Sequence, residues 1–247
     1  MSKEKKTMRN FSLNSIAFLS AAVLLLSSCN GFDCINGSGN QVTESRDIGT
    51  FNQVETSGSL KIVLSQDSTS SIRILADDNI QKEIQTRLSG NTLKIDIEGN
   101  FCDAGPVTIY LGSKDYQKIE SSGSVEVLSE GKLNLNELDL ELHGSSKVML
   151  DLNVKSLRTS SSGSSEIVLK GQAGIHDLDM TGSSSVEALD FVVGEYQINS
   201  TGASKSRINV LNSLEVNSRG ASEVEYKGKP SKIEKDNSGA SVVRSIN

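Results

Sequence analysis

The sequence is poor in the aromatic side chains on which sugar-cleaving enzymes hold their substrates. It contains no tryptophan, and aromatic residues make up 4% of its 247 residues. Carboxylates are plentiful, but glycoside hydrolysis needs a pair of them in a groove, and the sequence contains no long loop that could wall one. A polysaccharide-active enzyme is therefore a minor alternative. We predict no catalytic residue and no cofactor.

Histidine and cysteine are also scarce, which argues against a zinc site or a nucleophilic triad. The two histidines, His143 and His176, lie far in sequence from the cysteines that could join them around zinc. His143 is predicted at a turn, whereas His176 falls at an inward position and is expected to be a packed, hydrogen-bonded core residue. The many serines lie in turns, and no base accompanies them.

The N-terminus predicts export and lipid attachment. Four basic residues among the first nine precede an apolar run from Ile16 to Leu26, which is short for a membrane span. The letters "LSSC" then end at Cys29 and resemble the bacterial lipobox, in which the leader is removed and the cysteine receives lipid. We predict a signal peptide at 1–28, a lipid on Cys29 that attaches the chain to a membrane, and a linker at 29–50. An ordinary secretory signal peptide is the alternative.

The exported chain would be acidic and would keep two further cysteines. The net charge is −6 over the whole chain, and the leader holds its cluster of basic residues. Such a surface repels phosphate backbones, so nucleic acid is not an expected partner. In an exported chain, the even pair Cys34 and Cys102 suggests one disulfide, with two independent thiols as the alternative.

A repeat of about nineteen residues dominates the rest of the chain. "HGSSKVML" at 143–150 returns as "SGSSEIVL" at 162–169, and the shared glycine recurs at spacings of 18 to 21 residues. These repeat glycines are Gly123, Gly144, Gly163, Gly182, Gly202, Gly220 and Gly239, and Gly58 precedes them. A fixed period of this length is typical of a solenoid.

Within each period the pattern is that of strands. In "LDLELHGSSKVML" at 138–150, leucines alternate with acidic residues before the glycine, and Val148 and Leu150 alternate with Lys147 and Met149 after it. Four residues after the repeat glycines, one column reads Ile62, Val127, Val148, Ile167, Val186, Ser206, Val224 and Val243. We predict an all-β, right-handed parallel β-helix at 51–247 in which such positions stack inward.

The polar columns are explained by contacts between neighbouring coils. Three residues after the glycines, Lys61, Glu126, Lys147 and Glu166 alternate in sign, which avoids like charges on neighbouring coils. Three residues before them, Glu120 and Glu141 are weak candidates for calcium, a hard cation that takes six to eight oxygens. No calcium-binding loop motif accompanies that pair, so no metal site is predicted.

Residues 72–111 fit the repeat poorly and form what we call the insert. In "DDNIQKEIQTRLSG" at 77–90, Ile80, Ile84 and Leu88 recur every four residues, with acidic residues before them and Gly90 after them. These signals predict one short helix. The strands around it would cap the stack or add broader coils at its N-terminal end, because a bare end leaves an unpaired edge.

One outward column is apolar where charge is expected. Five residues after the glycines stand Val63, Leu128, Met149 and Val168, which we call the apolar stripe. The same column continues as Glu187, Arg207, Glu225 and Arg244. An exposed apolar strip commonly marks a contact surface, so a foreign partner or a second subunit could bind here. Cover by the insert is the alternative, and we favour it over a foreign partner.

Three segments carry a resemblance to a known family. "CINGSGN" from Cys34 to Asn40, "FNQVETSGSLKIVL" and "ADDNIQKEIQTRLSGNTLKI" resemble the head-GIN-domain family, labelled auto-transporter adhesins. The resemblance covers residues 34–247 and implies a β-helical envelope lipoprotein of a Bacteroidetes-type bacterium. Its motifs are structural, so it supplies no catalytic residue.

Two functional hypotheses remain. The first is a lipid-anchored adhesion or binding module of the outer membrane, facing the periplasm or the cell surface, with a glycan or a protein as its partner. The second is an envelope structural or stress-related protein without a specific ligand. Accessibility to protease on intact cells separates them, because an adhesin must lie outside.

Overall fold

The computed structural model describes residues 34–246. The predicted signal peptide and Cys29 lie outside the described residues. From Ile35 onward the chain forms one compact unit, a β-solenoid of about six turns with coils of about 19 residues. No helix within residues 34–246 is long and apolar enough to cross a membrane.

The strands divide into a short, varied set and a long, regular set. The first set is β1 Ile35–Asn36, β2 Gln41–Arg46, β3 Gln53–Gln66, β4 Ser71–Asp77, β5 Ile84–Ser89, β6 Thr92–Ile97, β7 Phe101–Cys102 and β8 Thr108–Ser113. The second set is β9 Lys118–Gly144, β10 Lys147–Gly163, β11 Glu166–Gly182, β12 Ser185–Gly202, β13 Lys205–Gly220, β14 Glu223–Lys227, β15 Lys232–Gly239 and β16 Val242–Ser245.

The stacking predicted from the repeat is confirmed. Strands β9 to β16 pair in parallel, and Val148 lies opposite Val127 on one side and Ile167 on the other. The whole column from Ile62 to Val243 follows the same register. Its members up to Val224 are buried, and all of them except the polar Ser206 belong to one continuous apolar core. Equal positions of successive coils therefore touch.

The repeat glycines are required by both conformation and space. Gly144 and Gly163 have φ values of 107° and 117°, which side chains of L-residues rarely adopt. A Cβ on Gly163 would lie 2.3 Å from the carbonyl oxygen of Gly144. Each coil thus turns directly on the backbone of the previous one, which explains why this residue recurs with the period of the fold.

Serines beside these turns form a buried polar layer. Ser121 Oγ lies 3.1 Å from Ser146 Oγ, and Ser161 Oγ lies 2.9 Å from Ser184 Oγ. All four are buried. The prediction that serines occupy turns did not anticipate that their hydroxyl groups pair inside the coil, where each satisfies the other.

The helix predicted at 77–90 is wrong. The segment contains a single 3₁₀ turn, Gln81–Glu83, and then strand β5, which pairs antiparallel with β6. A spacing of four residues fits the helical period of 3.6 and also the strand period of two, so Ile84 and Leu88 could not decide between them. Gly90, with φ of 61°, is the hairpin turn rather than a helix stop.

The insert extends the solenoid sheet beyond β3, and the strand pairing there changes from parallel to antiparallel. β8 pairs in parallel with β3, β4 pairs antiparallel with β8, and β2 pairs antiparallel with β4. β2 comes from residues 29–50, so part of the segment predicted as a linker is strand. The edge of the stack is thereby extended by three strands of mixed direction.

Candidate functional site

The four residues of the apolar stripe lie in one row on the outer face of the sheet. Val63 is opposite Leu128, Leu128 is opposite Met149, and Met149 is opposite Val168. Each is half-buried. Four neighbouring strands of the sheet, β3, β9, β10 and β11, therefore place one apolar row on the surface, with neighbouring rungs about 4.8 Å apart.

The insert lengthens this row at its edge. Tyr110 on β8 lies opposite Val63, and Arg73 on β4 lies opposite Tyr110. The Arg73 guanidinium carbon is 5.0 Å from the centre of the Tyr110 ring, a cation–π distance. Strands β4 and β8 thus take part in the row side by side with β3, instead of lying over it.

At its other end the row becomes a ladder of alternating charge, as predicted. Arg207 donates to Glu187 at 2.9 Å and to Glu225 at 3.1 Å. Arg244 also binds Glu225, and this hydrogen bond is the main reason why the pKa of Glu225 is lowered. The carboxylates on this half of the face are held by their neighbours.

A second charged column borders the row. Lys61 lies 3.4 Å from Glu126, Lys147 lies 3.4 Å from Glu166, and Lys205 lies 2.9 Å from Glu223. The alternation of sign predicted from the sequence is confirmed as contacts between coils. The apolar stripe is therefore a narrow apolar band beside ion pairs.

The weak calcium candidates are bridged by an ammonium group. Lys118 Nζ lies 3.1 Å from Glu120 and 3.0 Å from Glu141. The hydrogen bond to Glu141 is the largest cause of the raised pKa of Lys118. A ligand atom of His143 lies within 4.8 Å of those of both glutamates, but a metal ion here would have to compete with the lysine for both carboxylates.

His176 is a core residue, as predicted. It is 0% exposed, and its Nε2 lies 3.0 Å from Thr159 Oγ1. Its ring lies 4.9 Å from that of Tyr196, and burial lowers the pKa of His176 to about 3. Within the described residues, His176 Nδ1 and the Tyr196 hydroxyl lack a hydrogen-bond partner. The imidazole is neutral and closed to solvent.

A groove that the sequence did not indicate lies on another part of the coil. It has a volume of about 630 Å³, and its lining includes Asn153, Gln172, Gly174 and Leu211. One signal could have suggested it: the glycines at 174 and 194 fall outside the repeat column, two coils in succession.

Both cysteines after Cys29 are disulfide-bonded. Cys102 ends β7, whose two residues pair with Ile35 and Asn36 of β1. Cys29 lies outside the described residues, so the pairing of Cys34 with Cys102 stays a prediction.

Solved structures share this fold. A putative adhesin from Bacteroides fragilis matches with a TM-score of 0.81 and 23% identity, over 86% of this chain and 100% of that one. A putative adhesin from Parabacteroides merdae matches with 0.67 and 20%, over 87% and 100%. A protein from Parabacteroides distasonis described as a putative lipid binding protein matches with 0.68 and 18%, over 86% and 99%. These likenesses establish the fold.

A comparison with curated proteins finds no match. The sequence does match a family model over residues 50–230, which include the apolar stripe, the insert and nearly all of the regular coils. This match includes the segments at 51–64 and 76–95 that carry the resemblance, whereas the segment at 34–40 lies outside it. The chain belongs to the family described as "Putative auto-transporter adhesin, head GIN domain".

Proposed function

We propose that the protein is a non-enzymatic binding module of the cell envelope, anchored by lipid on Cys29, whose apolar stripe contacts a protein partner. The family description as adhesins supports this role. The leader ahead of Cys29 supports the anchor on the outer membrane. The partner would lie on the stripe, with the ion pairs of the neighbouring column at its border.

The observation that carries the proposal is the continuous outward row from Tyr110 through Val63, Leu128 and Met149 to Val168. Elsewhere on the regular coils the exposed large apolar residues Ile175, Leu211, Ile233 and Val242 form no such row, whereas the side chains of the stripe are continuous. Covering each of these half-buried side chains would contribute on the order of 1 kcal/mol. Arg73 at one end and Glu187 at the other would fix the orientation of the partner, since charges mainly supply specificity.

The stripe is tested by the double substitution Met149→Ser and Val168→Ser. Purified protein is applied to cells and matrix proteins, and bound protein is measured. We expect at least tenfold weaker binding because the apolar contact is lost. Leu88→Ser is the matched control, since Leu88 is an exposed apolar residue outside the stripe. Equal binding by the double variant and the wild type would contradict the proposal.

The anchor and the exposed side are tested in cells. Cys29→Ser should abolish incorporation of labelled fatty acid and release the protein from the membrane fraction. Protease added to intact cells should digest the wild-type protein, because an adhesin acts from the surface. Full protection in intact cells, with digestion after lysis, would favour the periplasmic structural or stress-related role instead.

A further inference from the structure

We propose that the groove beside Gly174 and Gly194 is a binding site for a hydroxyl-rich oligosaccharide. The inference rests on the proposed function, since it assigns a second ligand surface to the same binding module. The groove and the apolar stripe share no residue.

The groove exists because two successive coils carry no side chain at one corner. Gly174 and Gly194 stack on each other, with Lys155 on the preceding coil and Leu211 on the following one. A Cβ on Gly174 would lie 2.6 Å from the Lys155 carbonyl oxygen, and one on Gly194 would lie 2.6 Å from that of Gly174. The backbone contacts thus keep this corner empty of side chains.

A bulge builds the far wall of the groove. Val193 pairs with Val210 and Glu195 pairs with Ser213, so two residues of β13 oppose the single Gly194. The extra residue pushes Leu211 outward, where it is 54% exposed. The result is an apolar wall beside a notch, a shape that can receive the C–H face of a sugar ring.

Amide side chains line one side as an ordered ladder. Asn153 Nδ2 donates to Asn134 Oδ1 at 3.1 Å, and Gln172 Nε2 donates to Asn153 Oδ1 at 2.9 Å. The ladder starts from a fixed point, because Gln66 accepts from the Asn134 backbone N–H at 2.8 Å and donates to its carbonyl oxygen at 2.9 Å. The amides are therefore pre-positioned, which lowers the entropic cost of binding.

This chemistry fits hydroxyl groups. A side-chain amide offers both donors and acceptors, as a sugar hydroxyl does. The ladder leaves the side-chain NH₂ group of Asn134 available at one end and the side-chain carbonyl oxygen of Gln172 at the other. Among the described residues, no carboxylate lines the groove, and Lys155 is its one charged side chain. An acidic oligosaccharide should therefore bind more tightly than a neutral one, and a cationic one least.

A peptide fits this groove less well. Peptides commonly bind to β-folds by adding a strand to a free sheet edge. β10, β11 and β12 are interior strands, each paired with a coil on both sides. The backbone at the groove is therefore already used, and recognition must come from side chains.

The experiment is binding of the full mature chain to an array of neutral, uronate-containing and amino-sugar oligosaccharides. The double substitution Asn153→Ala and Gln172→Ala should weaken binding at least tenfold. Lys155→Ala should weaken uronate-containing ligands alone. Asn199→Ala is the matched control, because Asn199 belongs to another amide ladder between Asp179 and Asn217, outside the groove. The thermal unfolding of every variant is measured as well, so that a loss of binding is not mistaken for a loss of folding.

Two results would overturn the groove assignment. One is the absence of binding to any of the oligosaccharides, and the other is binding that the double amide variant leaves unchanged. The proposed function is tested independently of the groove. If the groove assignment fails but the Met149 and Val168 variant loses adhesion to cells, the stripe keeps its role. If the groove binds sugar while that variant adheres normally, the groove stands and the stripe falls.

Discussion

The regular coils from β9 to β16 and the region before them, β1 to β8, both pair their strands into a sheet, but they do so in different ways. In the regular coils every strand pairs in parallel with the equivalent segment of the next coil, about nineteen residues on. In the earlier region, β2, β4, β5, β6 and β8 combine parallel and antiparallel pairing. The first arrangement follows from one repeated contact, whereas the second depends on many different ones.

The largest expected effect comes from two glycines that share a positive φ but not their surroundings. Gly163→Ala places a Cβ against the Gly144 carbonyl and should destabilise the protein by about 3 kcal/mol. Gly90→Ala, in the hairpin of the insert, meets no atom within 4 Å and should cost about 1–2 kcal/mol from its φ alone. Denaturant unfolding of both variants measures the difference. Equal losses would contradict coil-on-coil contact at the turns.

The regular coils should also carry most of the pH dependence between pH 6.5 and 4.5. Burial lowers the pKa of His176 from 6.5 to about 3, so the unfolded chain binds a proton in this range and the folded chain does not. Stability should therefore fall with decreasing pH, by about 1.4 kcal/mol per unit below pH 6.5. In the insert, hydrogen bonding holds the pKa of Asp77 below 3.8, so its contribution is lost only at lower pH.

Unfolding curves of the wild type and His176→Leu at several pH values test this expectation. The leucine variant should lose the dependence over that range, whatever its stability at pH 7. A dependence that persists unchanged in the variant would show that other groups are responsible.

A smaller, local effect is expected in the insert. Asp77 accepts hydrogen bonds from the Gln41 side chain at 2.7 Å and from the backbone N–H groups of Gly39 and Gly105 at 3.3 and 3.2 Å. Asp77→Ala should speed hydrogen exchange at Gly39 and Gly105 and leave the regular coils protected. Glu98→Ala is the control, because Glu98 is an exposed carboxylate of the insert whose side chain binds neither glycine. Equal acceleration in the coils would mean that the two regions unfold together.

The smallest effect is expected from the charged column. Lys147→Glu places three glutamates on neighbouring coils, at 126, 147 and 166, and should cost less than about 1 kcal/mol because the pairs are exposed. Adding Glu166→Lys should restore most of that loss. Denaturant unfolding measures both variants, and a loss of several kcal/mol in the single variant would show that these pairs do more than disfavour slipped registers.

The same contrast explains which features the sequence could predict. The column of Val148 and Ile167 and the inward position of His176 follow from a fixed period. The partners of Tyr110 and Arg73 do not, since they arise from strand pairs of different spacing and direction. The bulge at Leu211 could not be predicted from the sequence either, because an extra residue in one coil changes the repeat period no more than ordinary variation in turn length does. Buried serine pairs resemble exposed turn serines in sequence.

The account depends on outward columns that run unbroken from β3 to β13. Its most direct test is the distance between spin labels at Lys61→Cys and Lys205→Cys, which lie five rungs apart in one column. Pulsed electron paramagnetic resonance should give a narrow distribution near about 24 Å, five steps of about 4.8 Å. A broad distribution, or one centred well beyond that distance, would contradict the stacked columns and, with them, the apolar stripe.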